Sequence, residues 1–89
     1  GNTVQSNVED GIAATGPALI RSNVSQGNTL DGIDVGAGAA VVANVSNANG
    51  GFGLRVGGGS SFRANTITSS TASTVSNAGG VDLGANSCN

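Results

Sequence analysis

The 89-residue chain has no histidine, tryptophan, tyrosine, methionine or lysine. It has one cysteine, one proline and two phenylalanines. Without histidine no serine–histidine–acid triad can be assembled. A single cysteine cannot close an intrachain disulfide, so it says nothing of redox compartment. Three arginines against five acids leave a net charge of −2. That balance lacks the basic face expected of a nucleic-acid binder and the basic amphipathic helix that seeks an anionic membrane. No apolar run reaches spanning length, and no signal-peptide pattern is visible. The chain is therefore expected to have no nucleic-acid partner and no membrane insertion. Charged residues make up only 9%, whereas ordinary disorder combines high net charge with few apolar residues.

What is present is a repeat. Glycine is abundant, at 16 residues. Asn2, Asn23, Asn44 and Asn65 recur at a fixed period, and a glycine follows the first three at a fixed offset, at Gly11, Gly32 and Gly53. Each glycine leads a short alternating phrase: Ile12-Ala13-Ala14, Ile33-Asp34-Val35, Leu54-Arg55-Val56. Period-two alternation over short runs reads as strand. Frequent Gly and Asn disfavour helix throughout. Coils are predicted over 2–22, 23–43 and 44–64, with a fourth from Asn65. Turns are expected at Thr15-Gly16-Pro17, Gly36-Ala37-Gly38 and Gly57-Gly58-Gly59. Gly11 is read as permitting an unusual backbone angle. In the fourth coil the leading glycine is taken to be Gly80. A six-residue Ser/Thr-rich insertion then falls in 69–76, Val81-Asp82-Leu83 becomes the next strand, and Asn86 drops out of the ladder.

Read down the columns, like residues stack: Ile12, Ile33, Leu54 and Val81; Ala14, Val35, Val56 and Leu83; Ile20, Val41 and Phe62. Ser22, Ala43 and Ala64 form a small inward column. Each coil can bury its apolar face only against its neighbours. The prediction is an all-β fold, a single parallel β-solenoid module over 1–89 with about four coils of 21 residues. The phrase Gly1-Asn2-Thr3-Val4, its spacing to Gly11-Ile12 and its recurrence resemble right-handed parallel β-helix repeats. That resemblance spans the whole chain and implies kinship with the pectin-lyase-like superfamily and with bacterial secreted or surface β-helix proteins. It implies an extracellular or cell-surface location, and it does not by itself fix an activity.

The resemblance also implies a structural ladder, in which the amides of Asn2, Asn23, Asn44 and Asn65 bond from coil to coil. Asn7, Asn28 and Asn49 make a second candidate ladder. Asn23-Val24-Ser25 and Asn44-Val45-Ser46 match the N-glycosylation pattern, but a buried turn amide is closed to sugar transfer. Asp34, Arg55 and Asp82 are expected on one outward column, as register-pinning pairs or as a ligand face of the kind that carbohydrate-acting β-helices carry. Glu9, Asp10 and Asp31 gather at one bend, where oxygen ligands suit calcium, although the spacing matches no calcium loop. No catalytic residue, metal or cofactor is predicted, and no Thr-x-Thr array repeats from coil to coil.

Joining the chain end to its start suggests a seam of Gly1, Val4, Ile20, Cys88 and Asn89. Cys88 would fall in the Ile20 column, and the length would be a whole number of coils. Two functions follow. One is a structural protein that stacks head to tail as a homopolymer. The other is a segment of a larger β-helix protein that binds or cleaves polysaccharide.

Overall fold

The computed structural model describes residues 2–68, 73–77 and 79–88, with backbone alone at 73, 74 and 88. Among the described residues thirteen short strands follow one another: β1 Thr3–Gln5, β2 Ile12–Ala14, β3 Leu19–Arg21, β4 Val24–Gln26, β5 Ile33–Val35, β6 Ala40–Val42, β7 Val45–Asn47, β8 Phe52–Val56, β9 Ser61–Arg63, β10 Thr66–Thr68, β11 Ser73–Asn77, β12 Val81–Asp82 and β13 Ser87–Cys88. Among the described residues there is no helix. Every third strand stacks in parallel. Sheet A runs β1-β4-β7-β10-β13, sheet B β11-β8-β5-β2, and sheet C β12-β9-β6-β3. The result is a three-faced β-solenoid that advances about three turns between the first and last strands of its four-stranded faces.

The core follows from the alternation. Ile33 pairs with Leu54 and Val35 with Val56 on sheet B, and Val41 with Phe62 on sheet C. These six and Ile67 of sheet A are buried. In the first coil, Ile12, Ala14 and Ile20 pack on the same core but stay partly exposed. A parallel strand buries its apolar side only when both neighbours are in place, so the middle coils carry most of the stability.

The corners on either side of sheet A have a geometry that composition did not announce. Ser22, Ala43, Ala64 and Ala85 have φ of 57°, 57°, 56° and 57°, one residue before a ladder asparagine. Ser6, Gly27 and Ala48 do the same at 59°, 65° and 56°, one residue before the second asparagine column. A left-handed residue costs a non-glycine roughly 1–2 kcal/mol, so the ladder bonds beside it must hold it there. Ser22, Ala43 and Ala64 are consequently exposed corner residues, not an inward column. Their small size is the trace that the corner leaves in the sequence.

The fourth coil also differs from expectation. It has no six-residue insertion in register. Val75 pairs with Leu54 and Asn77 with Val56, so Val75 and not Val81 continues the Ile12 column. Val81 and Asp82 pair with Ser61 and Phe62 on sheet C. The turn before them is one residue shorter than its predecessor, and the extra residue returns at Gly84, whose φ is 96°. Asn86 then falls back into the ladder. Residues 69–72 of the predicted insertion lie outside the described residues.

This register also undoes the predicted seam. Cys88 pairs with Ile67 on sheet A and does not continue the Ile20 column of sheet C. Val4 and Ile20 do lie in the first coil. Gly1 and Asn89 lie outside the described residues, as does the Cys88 side chain. The whole-coil length rested on the insertion, so it carries no weight.

Candidate functional site: the asparagine ladders and the acidic corner

The first ladder runs the length of the solenoid at steps of 21 residues. Asn23 Oδ1 accepts from Asn2 N–H at 2.8 Å, Asn44 Oδ1 from Asn23 N–H at 2.9 Å, Asn65 Oδ1 from Asn44 N–H at 2.9 Å, and Asn86 Oδ1 from Asn65 N–H at 3.0 Å. Each oxygen also accepts from the preceding Nδ2, at 3.0–3.3 Å. The other Nδ2 hydrogen reaches back one coil: Asn44 donates to Ile20 O at 2.9 Å and Asn65 to Val41 O at 3.0 Å. One side chain thus ties three successive coils. Asn44 and Asn65 are at most 2% exposed, so nothing else could satisfy these groups. The two glycosylation patterns are consumed here, because Asn23 and Asn44 are both buried.

The second ladder joins Asn7, Asn28 and Asn49. Asn28 Oδ1 accepts from Asn7 N–H at 3.0 Å, and Asn49 Oδ1 from Asn28 N–H at 3.0 Å. It extends into the core through serine. Asn28 Nδ2 donates to Ser25 Oγ at 3.0 Å, and Ser25 Oγ donates to Gly32 O at 2.6 Å. The next coil repeats this as Asn49 Nδ2 to Ser46 Oγ at 2.9 Å and Ser46 Oγ to Gly53 O at 2.7 Å. A buried serine in a strand of a small core is therefore a satisfied polar node. Gly11 and Gly32 are needed for space, not for backbone angle. A Cβ at Gly32 would meet Ser46 Oγ, Asn49 Nδ2 and the Gly53 carbonyl, and one at Gly11 would meet the same triplet a coil earlier.

The outward column of sheet B reads Ala13, Asp34, Arg55 and Ser76 in register. Asp82 is not part of it. It pairs with Phe62 on sheet C, so the predicted Asp34–Arg55–Asp82 face is broken by the register of the fourth coil. The structure instead brings Asp34 to Asp10 and Asp31, with one carboxylate oxygen of each within 4.8 Å of the others. Glu9, grouped with them in the sequence, is exposed and outside that set. Asp10 Oδ1 accepts the Asp31 N–H at 3.0 Å, and Asp31 Oδ1 accepts the Phe52 N–H at 2.8 Å, a third ladder built from carboxylates. Arg55 Nη1 lies 3.7 Å from Asp31 Oδ2, the Arg55 side chain being 57% exposed and that of Asp31 9%. Three clustered oxygens are a hard-cation type of donor set, but two of these carboxylates already work as backbone acceptors.

Burial raises the Asp34 pKa above the usual aspartate value, and the neighbouring Asp10 and Asp31 add to it, while Arg55 opposes. A carboxyl whose folded pKa is raised contributes stability that is complete below its unfolded pKa. That contribution is lost as pH rises through the folded pKa. Ionised Asp34 therefore destabilises the solenoid at neutral pH. Asp34→Asn is expected to raise the melting temperature at pH 7 and to flatten its dependence on pH on the acid side. Equal melts of wild type and Asp34→Asn at pH 7 would show that Arg55 cancels the repulsion.

The ladder asparagines were legible from period alone. Asn86 was missed, because a one-residue shortening of the last turn disguised its 21-residue step. Asp10 and Asp31 were grouped at one bend, but the backbone bond that links them at the same step was not foreseen. A scan against protein-family models, a search of curated proteins and a search of solved structures each found no match to this chain.

Proposed function

We propose that the chain is a structural β-solenoid module whose copies stack head to tail into a filament, outside the cell or on its surface. The observation that carries this reading is the polarity of the ladder. Each asparagine oxygen receives donors from the coil before it, and each asparagine N–H points to the coil after it. This sense repeats unchanged from coil to coil, so a copy continuing the solenoid would have to point the same way. Stacking in one direction alone matches donors to acceptors. Heterologous contacts of this kind produce open filaments when the rotation does not close. The extracellular assignment rests on the resemblance to secreted and surface β-helix proteins.

Analytical ultracentrifugation and negative-stain electron microscopy of the purified chain test the proposal. The expected result is concentration-dependent filaments with about 19 Å of axial rise per subunit, four coils at roughly 4.8 Å each. A chain that stays monomeric at millimolar concentration would refute it.

The grouping of Asp10, Asp31 and Asp34 beside Arg55 favours a second reading, a polysaccharide-binding or -cleaving segment of a larger pectin-lyase-like protein. Under the structural reading, polyuronate is not cleaved. Turnover that disappears in Asp34→Ala would replace the first reading with the second.

A further inference from the structure

Among the described residues, Val8, Leu19, Leu30, Val45, Val81 and Leu83 are large apolar side chains left exposed. All but Val45 fall on two surfaces. The first is the bend between sheets A and B, Val8-Glu9-Asp10 in one coil and Thr29-Leu30-Asp31 in the next. The two bends are joined where Leu30 N–H donates to Glu9 O at 3.3 Å and Asp31 N–H to Asp10 Oδ1 at 3.0 Å. Val8, 81% exposed, and Leu30 stand here among carboxylates. Glu9, Asp10 and Asp31 lie in the bend and Asp34 beside it on sheet B, against one cation, Arg55.

The second surface is the outward side of sheet C. One of its columns is Leu19, Ala40, Ser61 and Val81. The other is Arg21, Val42 and Arg63, with Leu83 next in line, its N–H donating to Phe62 O at 2.9 Å. Leu19, Val81 and Leu83 are exposed here together with Arg21 and Arg63. Asp82 belongs to the inward column of Phe62, and its Oδ1 accepts from Asn86 Nδ2 and Gly84 N–H, both at 2.8 Å.

We propose that these two surfaces bind each other between copies of this chain, so that solenoids associate side by side. Every coil passes from sheet A to B to C, so the A–B bend is the corner opposite sheet C. A sideways translation with the axes parallel therefore brings the acidic bend of one copy onto the basic face of the next. Both copies have the same coil spacing, roughly 4.8 Å, so bend and face stay level from coil to coil. Apolar side chains meet apolar side chains, and carboxylates meet guanidiniums. Bend on bend, or face on face, would put like charges together. Opposite charges thus fix which surfaces meet. The contact is heterologous and does not close, so it gives rows of solenoids and not dimers. It uses only the flanks of the coils and does not rest on stacking along the axis. A corner against a flat face is a small contact, of the weak class below about 1,200 Å².

Sedimentation velocity over a concentration series, at low and high salt, tests the proposal, with electron microscopy to read the direction of assembly. Wild type is expected to form laterally joined particles that salt disperses. Leu19→Ser and Leu30→Ser alter one surface each, and either should weaken association about tenfold. Val45→Ser, a similar change on sheet A, should leave it unchanged. Glu9→Arg and Arg63→Glu should each weaken it about fivefold, and their combination in one chain should recover part of the loss. All these side chains face outward, and circular dichroism checks each variant's fold. Wild type that stays monomeric at millimolar concentration would give the two surfaces to another partner and overturn the proposal. So would association that Val45→Ser weakens as much as Leu19→Ser, or that the double charge variant does not recover. Filaments one solenoid wide would overturn it and leave stacking intact. Lateral rows without axial growth would uphold it and refute stacking.

Discussion

Gly32→Ala is expected to lower the melting temperature by roughly 15 °C or to prevent folding altogether. The added Cβ would overlap Ser46 Oγ, Asn49 Nδ2 and the Gly53 carbonyl together. Neither side chain can step aside cheaply. Ser46 Oγ bonds both Gly53 O and Asn49 Nδ2, and Asn49 also serves Ser25 O and the Asn28 donors. Overpacking costs about 1–3 kcal/mol and each orphaned buried polar group about 1–3 kcal/mol more. Gly16→Ala is the control. Nothing lies within 4 Å of its Cβ position, so its effect should stay within about 1 kcal/mol. Thermal melts of both variants by circular dichroism decide the matter. Similar losses would mean that glycine acts here through backbone freedom and not through space.

Asn44→Ala comes second, with an expected loss of about 3 kcal/mol, or roughly 10–20 °C. Asn44 is the middle of the ladder and is 1% exposed. Its removal orphans the Asn23 N–H and Nδ2 below and the Ile20 carbonyl behind, and it takes one donor from Asn65 above. Water cannot reach these groups to replace it. Asn47→Ala, three residues on, removes one half-buried bond, in which Asn47 Oδ1 accepts from Thr68 Oγ1 at 2.8 Å. That should cost no more than about 1 kcal/mol. If the two alanine variants melt together, the ladder is an ornament of the turn and not a support for it.

Asn44 and Asn86 together show why the fourth coil misled a reading by pattern. Asn44 is flanked by three consecutive coils with the same glycine offset, so period and neighbours agree. Asn86 follows a turn that has lost one residue and a strand, β12, that has slipped by one. A search for the next glycine therefore lands on Gly80, and the alternation of Val81-Asp82-Leu83 imitates Ile33-Asp34-Val35. A strand carries only a period of two, so a short phrase cannot say which face it belongs to. The hydrogen-bonded register decides it: Val75 against Leu54, and Val81 against Ser61.

The sequence by itself determined the architecture of this protein. A 21-residue step of asparagine, glycine and paired apolar residues can bury its core only by stacking coil on coil, and the middle coils Asn23–Ala64 leave no other arrangement of their columns. What only the tertiary structure decided is how the coils close and end. The left-handed corners at Ser22, Ala43, Ala64 and Ala85 arise because the ladder bonds hold alanine and serine at angles those residues do not choose alone. The meeting of Asp10, Asp31 and Asp34 depends on which bend faces which strand across neighbouring coils, a distance that sequence spacing does not encode. The placing of β13 on β10, and of Asp82 against Asn86, depends on one residue lost in a turn and regained at Gly84. Local pattern sets what each residue prefers, and register between coils, which is a cooperative property of the whole stack, sets what each residue touches.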